Sequence, residues 1–194
     1  MVTIARFIRL APAVWILCVS GLGFSQGWRS YVDRAERFSV NIPAEPRVED
    51  ITYMGERGGT YPARVYTTDQ GPNRYSVTVV RYVDAPPTVV RGSIAHAAWN
   101  VRQRGGEVTY DAYAQVDRIE GHQLQITNED ASRTYVAIHL HEGRLYILEA
   151  RVPPASPPPV QFQQSLIILD AEGDRIRYAV DEFGNRTVRV PPDD

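Results

Sequence analysis

His139 and His141 are the residues of this chain best spaced to do chemistry. On a β-strand, positions i and i+2 point to the same side, so two imidazoles there can grip one metal ion. Glu142 or Tyr146 would stand close enough to assist. A catalytic zinc needs a third protein ligand, and the sequence nominates none. The plainer reading makes His139 a covered strand residue opposite Tyr146 and His141 a turn residue in water. His139 and His141 are therefore kept as metal candidates only, and no metal, cofactor or catalytic residue is expected. His96 is expected on the solvent side of a helix, and His122, just after Gly121, in a turn. No motif presents Ser93 as a nucleophile beside His96. Asp170, Glu172, Asp174, Asp181 and Glu182 cluster without the twelve-residue spacing of a calcium loop, and read as a solvated turn.

Absent residues narrow the chemistry further. Every basic side chain is Arg, and there is no Lys. That excludes a Schiff-base lysine, lysine-held pyridoxal phosphate and a phosphate loop of the Walker type. The single cysteine, Cys18, lies near the start. No Gly-x-Gly-x-x-Gly, Gly-x-Ser-x-Gly or His-Glu-x-x-His is present. A net charge of -2 argues against a nucleic-acid binder. What remains is recognition by contact. The 11 tyrosines are flat and amphipathic, suited to a ligand groove or a contact surface, and equally to covering sheet faces. Tyr53, Tyr61, Tyr66 and Trp99 are the interaction candidates. Trp99 is expected at the edge of a buried helix face, and would mark a docking site if it were exposed.

Residues 1–27 read as a signal peptide. Arg6 and Arg9 precede an uncharged apolar run, and Ser25-Gln26-Gly27 closes it. Uncleaved, the run from Leu10 to Trp28 is just long enough to anchor the chain in a bilayer. The expected location is periplasmic or secreted, with membrane contact only if the segment is retained. Without disulfides, the exported chain must rest on its hydrophobic core.

The elements that follow are mostly extended. Phe38, Val40 and Ile42 alternate with polar residues, as in a half-buried strand stopped by Pro43. Residues 48–53 and 61–68 predict a polar hairpin around Arg57-Gly58-Gly59-Thr60, near a sheet edge. Tyr75, Val77 and Val79 on one face, with Val80 and Tyr82 on the other, predict a strand covered on both sides. Ile94, Ala97, Ala98 and Val101 share one face of a helix over 93–104 that stops at Gly105-Gly106. Strands are expected at 107–117, 122–128, 134–140 and 145–152. A Glu142-Gly143 turn would set Leu140 opposite Leu145 and His139 opposite Tyr146. After a proline-rich link at 153–159, the spacing of Phe162, Leu166 and Leu169 predicts a second short helix over 160–168. A last hairpin turns through Phe183-Gly184-Asn185.

This order resembles the Mog1/PsbP-like fold group, notably its small exported bacterial members. The matching segments are Phe38-Ser39-Val40-Asn41-Ile42-Pro43-Ala44-Glu45-Pro46, the helix ending in Gly105-Gly106-Glu107, Gly143-Arg144-Leu145-Tyr146-Ile147-Leu148, and Phe162-Gln163-Gln164-Ser165-Leu166. The resemblance implies an α+β chain: an α/β/α sandwich with a central antiparallel sheet and a helix on each face. It also implies a binding or assembly factor rather than an enzyme, and transfers no functional residue. The expected domains are the signal peptide at 1–27, a Mog1/PsbP-like domain at 28–170, and a C-terminal hairpin extension and tail at 171–194. The expected function is an exported non-enzymatic binding or accessory module for an unknown protein or envelope component, acting through the sheet edge and the 48–68 hairpin. The alternatives are a metal-dependent or acid–base enzyme centred on His139 and His141, and a small-molecule carrier with an apolar cavity between helix and sheet.

Overall fold

Alternation of apolar and polar residues builds most of the chain into antiparallel strands. The computed structural model describes residues 27–191, so the signal peptide expected at 1–27 lies, apart from Gly27, outside the described residues. In chain order the elements are β1 (Arg29–Asp33), β2 (Phe38–Ile42), β3 (Arg47–Met54), β4 (Thr60–Gln70), β5 (Asn73–Arg81), α1 (Pro87–Arg102), β6 (Glu107–Val116) and β7 (Ile119–Thr127). There follow β8 (Arg133–His141), β9 (Arg144–Val152), α2 (Val160–Gln163), β10 (Ile167–Ile168), β11 (Tyr178–Val180) and β12 (Arg186–Arg189). Seven strands form one sheet in the order β3-β4-β5-β9-β8-β7-β6. The β8–β9 register sets Leu140 opposite Leu145 and His139 opposite Tyr146, as the turn chemistry predicts. Glu142 and Gly143 both take positive φ there, the conformation that a two-residue hairpin turn demands. The 47–70 hairpin does sit at a sheet edge, with Val48 opposite Tyr66 and Tyr53 opposite Tyr61.

The central strands are buried on both faces. Val80, Val136, Ile138 and Leu145 point to α1, where they meet Ala97, Ala98 and Val101. Val79, Ala137, Tyr146 and Leu148 point the other way. Between β5 and β6 the chain crosses three strands to reach the far edge, and α1 is that crossing. The helix starts at Pro87, six residues before the predicted Ser93. Proline at the first helical position has its φ preset and lacks only an N–H that would be unpaired anyway. The Pro86-Pro87 pair therefore opens the helix, while β5 ends earlier, at Arg81.

The expected α/β/α sandwich with a helix on each face is not found. The second face is covered by a small antiparallel sheet, β1-β2-β10, joined by the single turn of α2. The predicted helix over 160–168 stops at Gln163. Ser165 Oγ accepts the Asn41 N–H at 2.8 Å, and β-branched Ile167 and Ile168 pair with Ser39 and Phe38 instead. Among the described residues the result is an all-antiparallel, strand-dominated fold with one long helix. Phe38, fully buried, fills the gap between the sheets, edge-on to Tyr66 at 5.0 Å between ring centroids. Ile176 packs in the same cluster, beyond a loop in which the Asp170 carboxylate accepts N–H groups from Glu172, Gly173 and Asp174. Among the described residues no helix is long and apolar enough to cross a membrane.

Candidate functional site

His139 and His141 do share one side of β8, but both are buried. His139 lies against Gly121 of β7: a Cβ added there would stand 2.2 Å from His139 Nδ1. Nδ1 has no hydrogen-bond partner among the described residues. Burial pushes the imidazole pKa down to about 4, against backbone hydrogen bonds at Glu120 and Ile119 that pull upward. His141 is not in water at the turn as expected. Its Nε2 is 2.9 Å from the Tyr178 hydroxyl of β11, and its pKa is also lowered, chiefly by burial. Among the described residues no three His, Cys, Asp or Glu side chains gather to hold a metal. His141 is tied into the junction between the large sheet and the C-terminal hairpin, and His139 into the pairing of β7 with β8.

The hairpin tyrosines serve packing. Tyr66 is in the core, its hydroxyl donating to Asp33 at 2.6 Å, and burial raises its pKa. Tyr61 covers the hairpin tip: a Cβ on Gly55 or Gly59 would come within 3 Å of its ring or hydroxyl. Its ring also lies 4.6 Å from that of Tyr82. Tyr53 faces α1, edge-on to His96 at 6.4 Å. One buried charge escaped sequence reasoning. Glu36, 2% exposed, lies in the β1–β2 turn, its Oε1 3.6 Å from Arg64 and 3.8 Å from Arg81. Nothing in its local sequence marks it, since both partners come from other strands.

Trp99 stands out on the surface. It is 54% exposed, not at the edge of the buried face. Ala97, Ala98 and Val101 face the sheet, and Trp99, 100° further round the helix than Ala98, points away. His96, one turn earlier, stacks beside it, the rings 6.2 Å apart and 15° from parallel. That imidazole is half-buried rather than free in water: Nε2 lies 3.2 Å from the Met54 carbonyl oxygen and 3.1 Å from Asn100 Nδ2. Glu56, at the hairpin tip, reaches across to Gly92, where a Cβ would meet its Oε2 at 2.7 Å. These groups border a cleft of about 520 Å³ between hairpin tip and helix.

A second cleft of about 300 Å³ continues along α1 towards β6 and β7, sharing Ala95 and Arg102 with the first. Arg102 donates to both oxygens of Asp111, at 2.6 and 2.8 Å, a two-pronged pair. His122 Nε2 lies 2.5 Å from the same carboxylate. Arg102, aided by His122, holds the Asp111 carboxyl down to about 2. His122 is thus a strand residue opposite Tyr113, not a turn residue. The Asp117-Arg118 turn between the strands was the signal available: pairing outward from it sets 113 against 122 and 111 against 124, all on one face.

No protein-family model matches the chain, and no curated protein matches it either. A solved structure does: the cyanobacterial PsbP protein (CyanoP) of Synechocystis sp. PCC 6803, at 12% identity and a TM-score of 0.49, covering 76% of this chain and 95% of that one. At 12% identity neither activity nor partner nor any site residue passes across.

Proposed function

We propose that the chain is an exported, non-enzymatic binding or accessory module whose working surface is the outer side of α1. The observation that carries this reading is the exposed indole of Trp99 beside His96, at the centre of a groove that runs from the hairpin tip to β7. An indole left out of a core this well filled suits recognition. The hairpin at 48–68 contributes its tip, through Met54 and Glu56, rather than its tyrosines. Export rests on the pattern of residues 1–27, and a periplasmic or secreted location, with a protein or envelope component as partner, follows from it.

The enzyme reading loses its geometry, because His139 and His141 line no cleft that a substrate could share with both. The carrier reading finds little support: the apolar gap beneath Tyr31, Val40 and Phe162 holds about 10 Å³, room for one water at most. The test is capture from envelope extract with the tagged full chain, comparing wild type with Trp99→Ala and with Met54→Ser. Loss of a captured component in Trp99→Ala, with an unchanged melting temperature, supports the reading. Equal capture by all three chains refutes it.

A further inference from the structure

We propose that the α1 groove binds a neutral oligosaccharide. This rests on the reading of that face as the working surface, and names what it holds.

Three features of the groove point to this chemistry. The first is its aromatic content. Trp99 stands in one half and Tyr113, 61% exposed, borders the other. A pyranose ring presents a flat C–H face, and an exposed indole or phenol ring offers such a face a broad apolar partner with a polar rim. The second is the type of polar group around these rings. Guanidinium and carboxylate groups are planar and two-pronged, and neighbouring hydroxyls on a sugar can give and accept at both prongs. Arg91, Glu56 and Glu120 supply them.

The third feature is charge. Arg91 and Arg102 are matched by Glu56, Glu120 and Asp111, and the Arg102 guanidinium is already engaged by Asp111. No cationic surplus is left for a phosphate or sulfate, which excludes an anionic ligand. The floor is small-residue helix, Ala95 and Ala98, and the groove is open along its length. That shape suits a chain laid across the surface rather than a metabolite enclosed in a pocket. The flanking groups are held before any ligand arrives: Arg102, Asp111 and His122 by one another, and His96 by Asn100 and the Met54 carbonyl. Less side-chain freedom then remains to be lost on binding.

The probes are cellotetraose, chitotetraose and maltotetraose, titrated into the full chain and followed by calorimetry and by tryptophan fluorescence. Trp28 packs against Tyr75 at 5.2 Å on the opposite side of the sheet, and the third tryptophan is Trp15, so a fluorescence change that disappears in Trp99→Phe reports Trp99. Saturable binding of at least one probe is expected, with Kd on the order of 0.1 mM. Trp99→Ala and Tyr113→Ala should each weaken it about tenfold at unchanged melting temperature. Trp99→Phe should retain most of the affinity and lose the fluorescence signal.

Binding undiminished in both alanine variants overturns the proposal, as does the absence of saturable binding for all three probes. In that last case a captured envelope component still dependent on Trp99 leaves the working surface standing and removes only the sugar. If capture is indifferent to Trp99 as well, both readings fall.

Discussion

Lowering the pH should destabilise this fold through His139 before its carboxylates begin to protonate. The imidazole is 3% exposed, its Nδ1 is unpaired, and its folded pKa is about 4 against an ordinary 6.5. Between these values the unfolded chain binds the proton and the folded chain refuses it. The contribution is therefore fully present above pH 6.5 and is lost as pH falls towards 4. At ~1.4 kcal/mol per pK unit, the whole difference amounts to about 3 kcal/mol, of which about 2 kcal/mol disappears between pH 7 and pH 5. His141, also lowered by burial, adds in the same direction. The comparison is urea unfolding of wild type and His139→Leu at half-unit steps from pH 7 to pH 5. Leucine removes the titrating group and the unpaired nitrogen together, so the variant should match wild type within about 1 kcal/mol at pH 7. At pH 5 it should be the more stable by about 2 kcal/mol. Parallel loss of stability in the two chains would refute the reasoning, because the slope would then belong to other groups.

Two further perturbations test the packing around that site. Gly121→Ala would bring a Cβ to 2.2 Å from His139 Nδ1 and 2.4 Å from the Ile138 carbonyl oxygen. A loss of at least about 3 kcal/mol is expected in thermal or urea unfolding, and His139→Ala should not restore it, since the carbonyl cannot retreat. Asp170→Ala removes the acceptor of three loop N–H groups and the partner of Arg189. It should cost about 1–2 kcal/mol and speed amide exchange across residues 175–190 while β5, β8 and β9 stay protected.

The sheet was legible because its signals are local. Alternation in Phe38, Val40 and Ile42, two-sided apolar runs in β5, β8 and β9, and the Glu142-Gly143 turn each fix strand and register over a few residues. The second helix was misread for a reason equally physical. Phe162, Leu166 and Leu169 do have helical spacing, but Ile167 and Ile168 find unpaired backbone groups on β2, and a strand pair there outweighs one more helical turn. The groove was only half visible. Trp99 could be placed on a helix, yet its exposure depends on how far α1 rotates over the sheet, which the tertiary packing of Ala97, Ala98 and Val101 decides. His122 and Asp111 meet only once the Asp117-Arg118 turn has set the pairing of β6 and β7. Glu36 meets Arg64 and Arg81 only through the arrangement of two sheets.

The two rims of the large sheet are unlike. β3 carries Arg47, Glu49 and Asp50, whereas β6 offers ten residues with Glu107 and Asp111 as its ionisable charges and neither lysine nor proline to guard them. A lamella that grows molecule by molecule needs two compatible borders. With three charges on one border and two on the other, side-by-side growth is opposed more at β3 than at β6, so any such contact between copies would meet through β6 and stop at a pair.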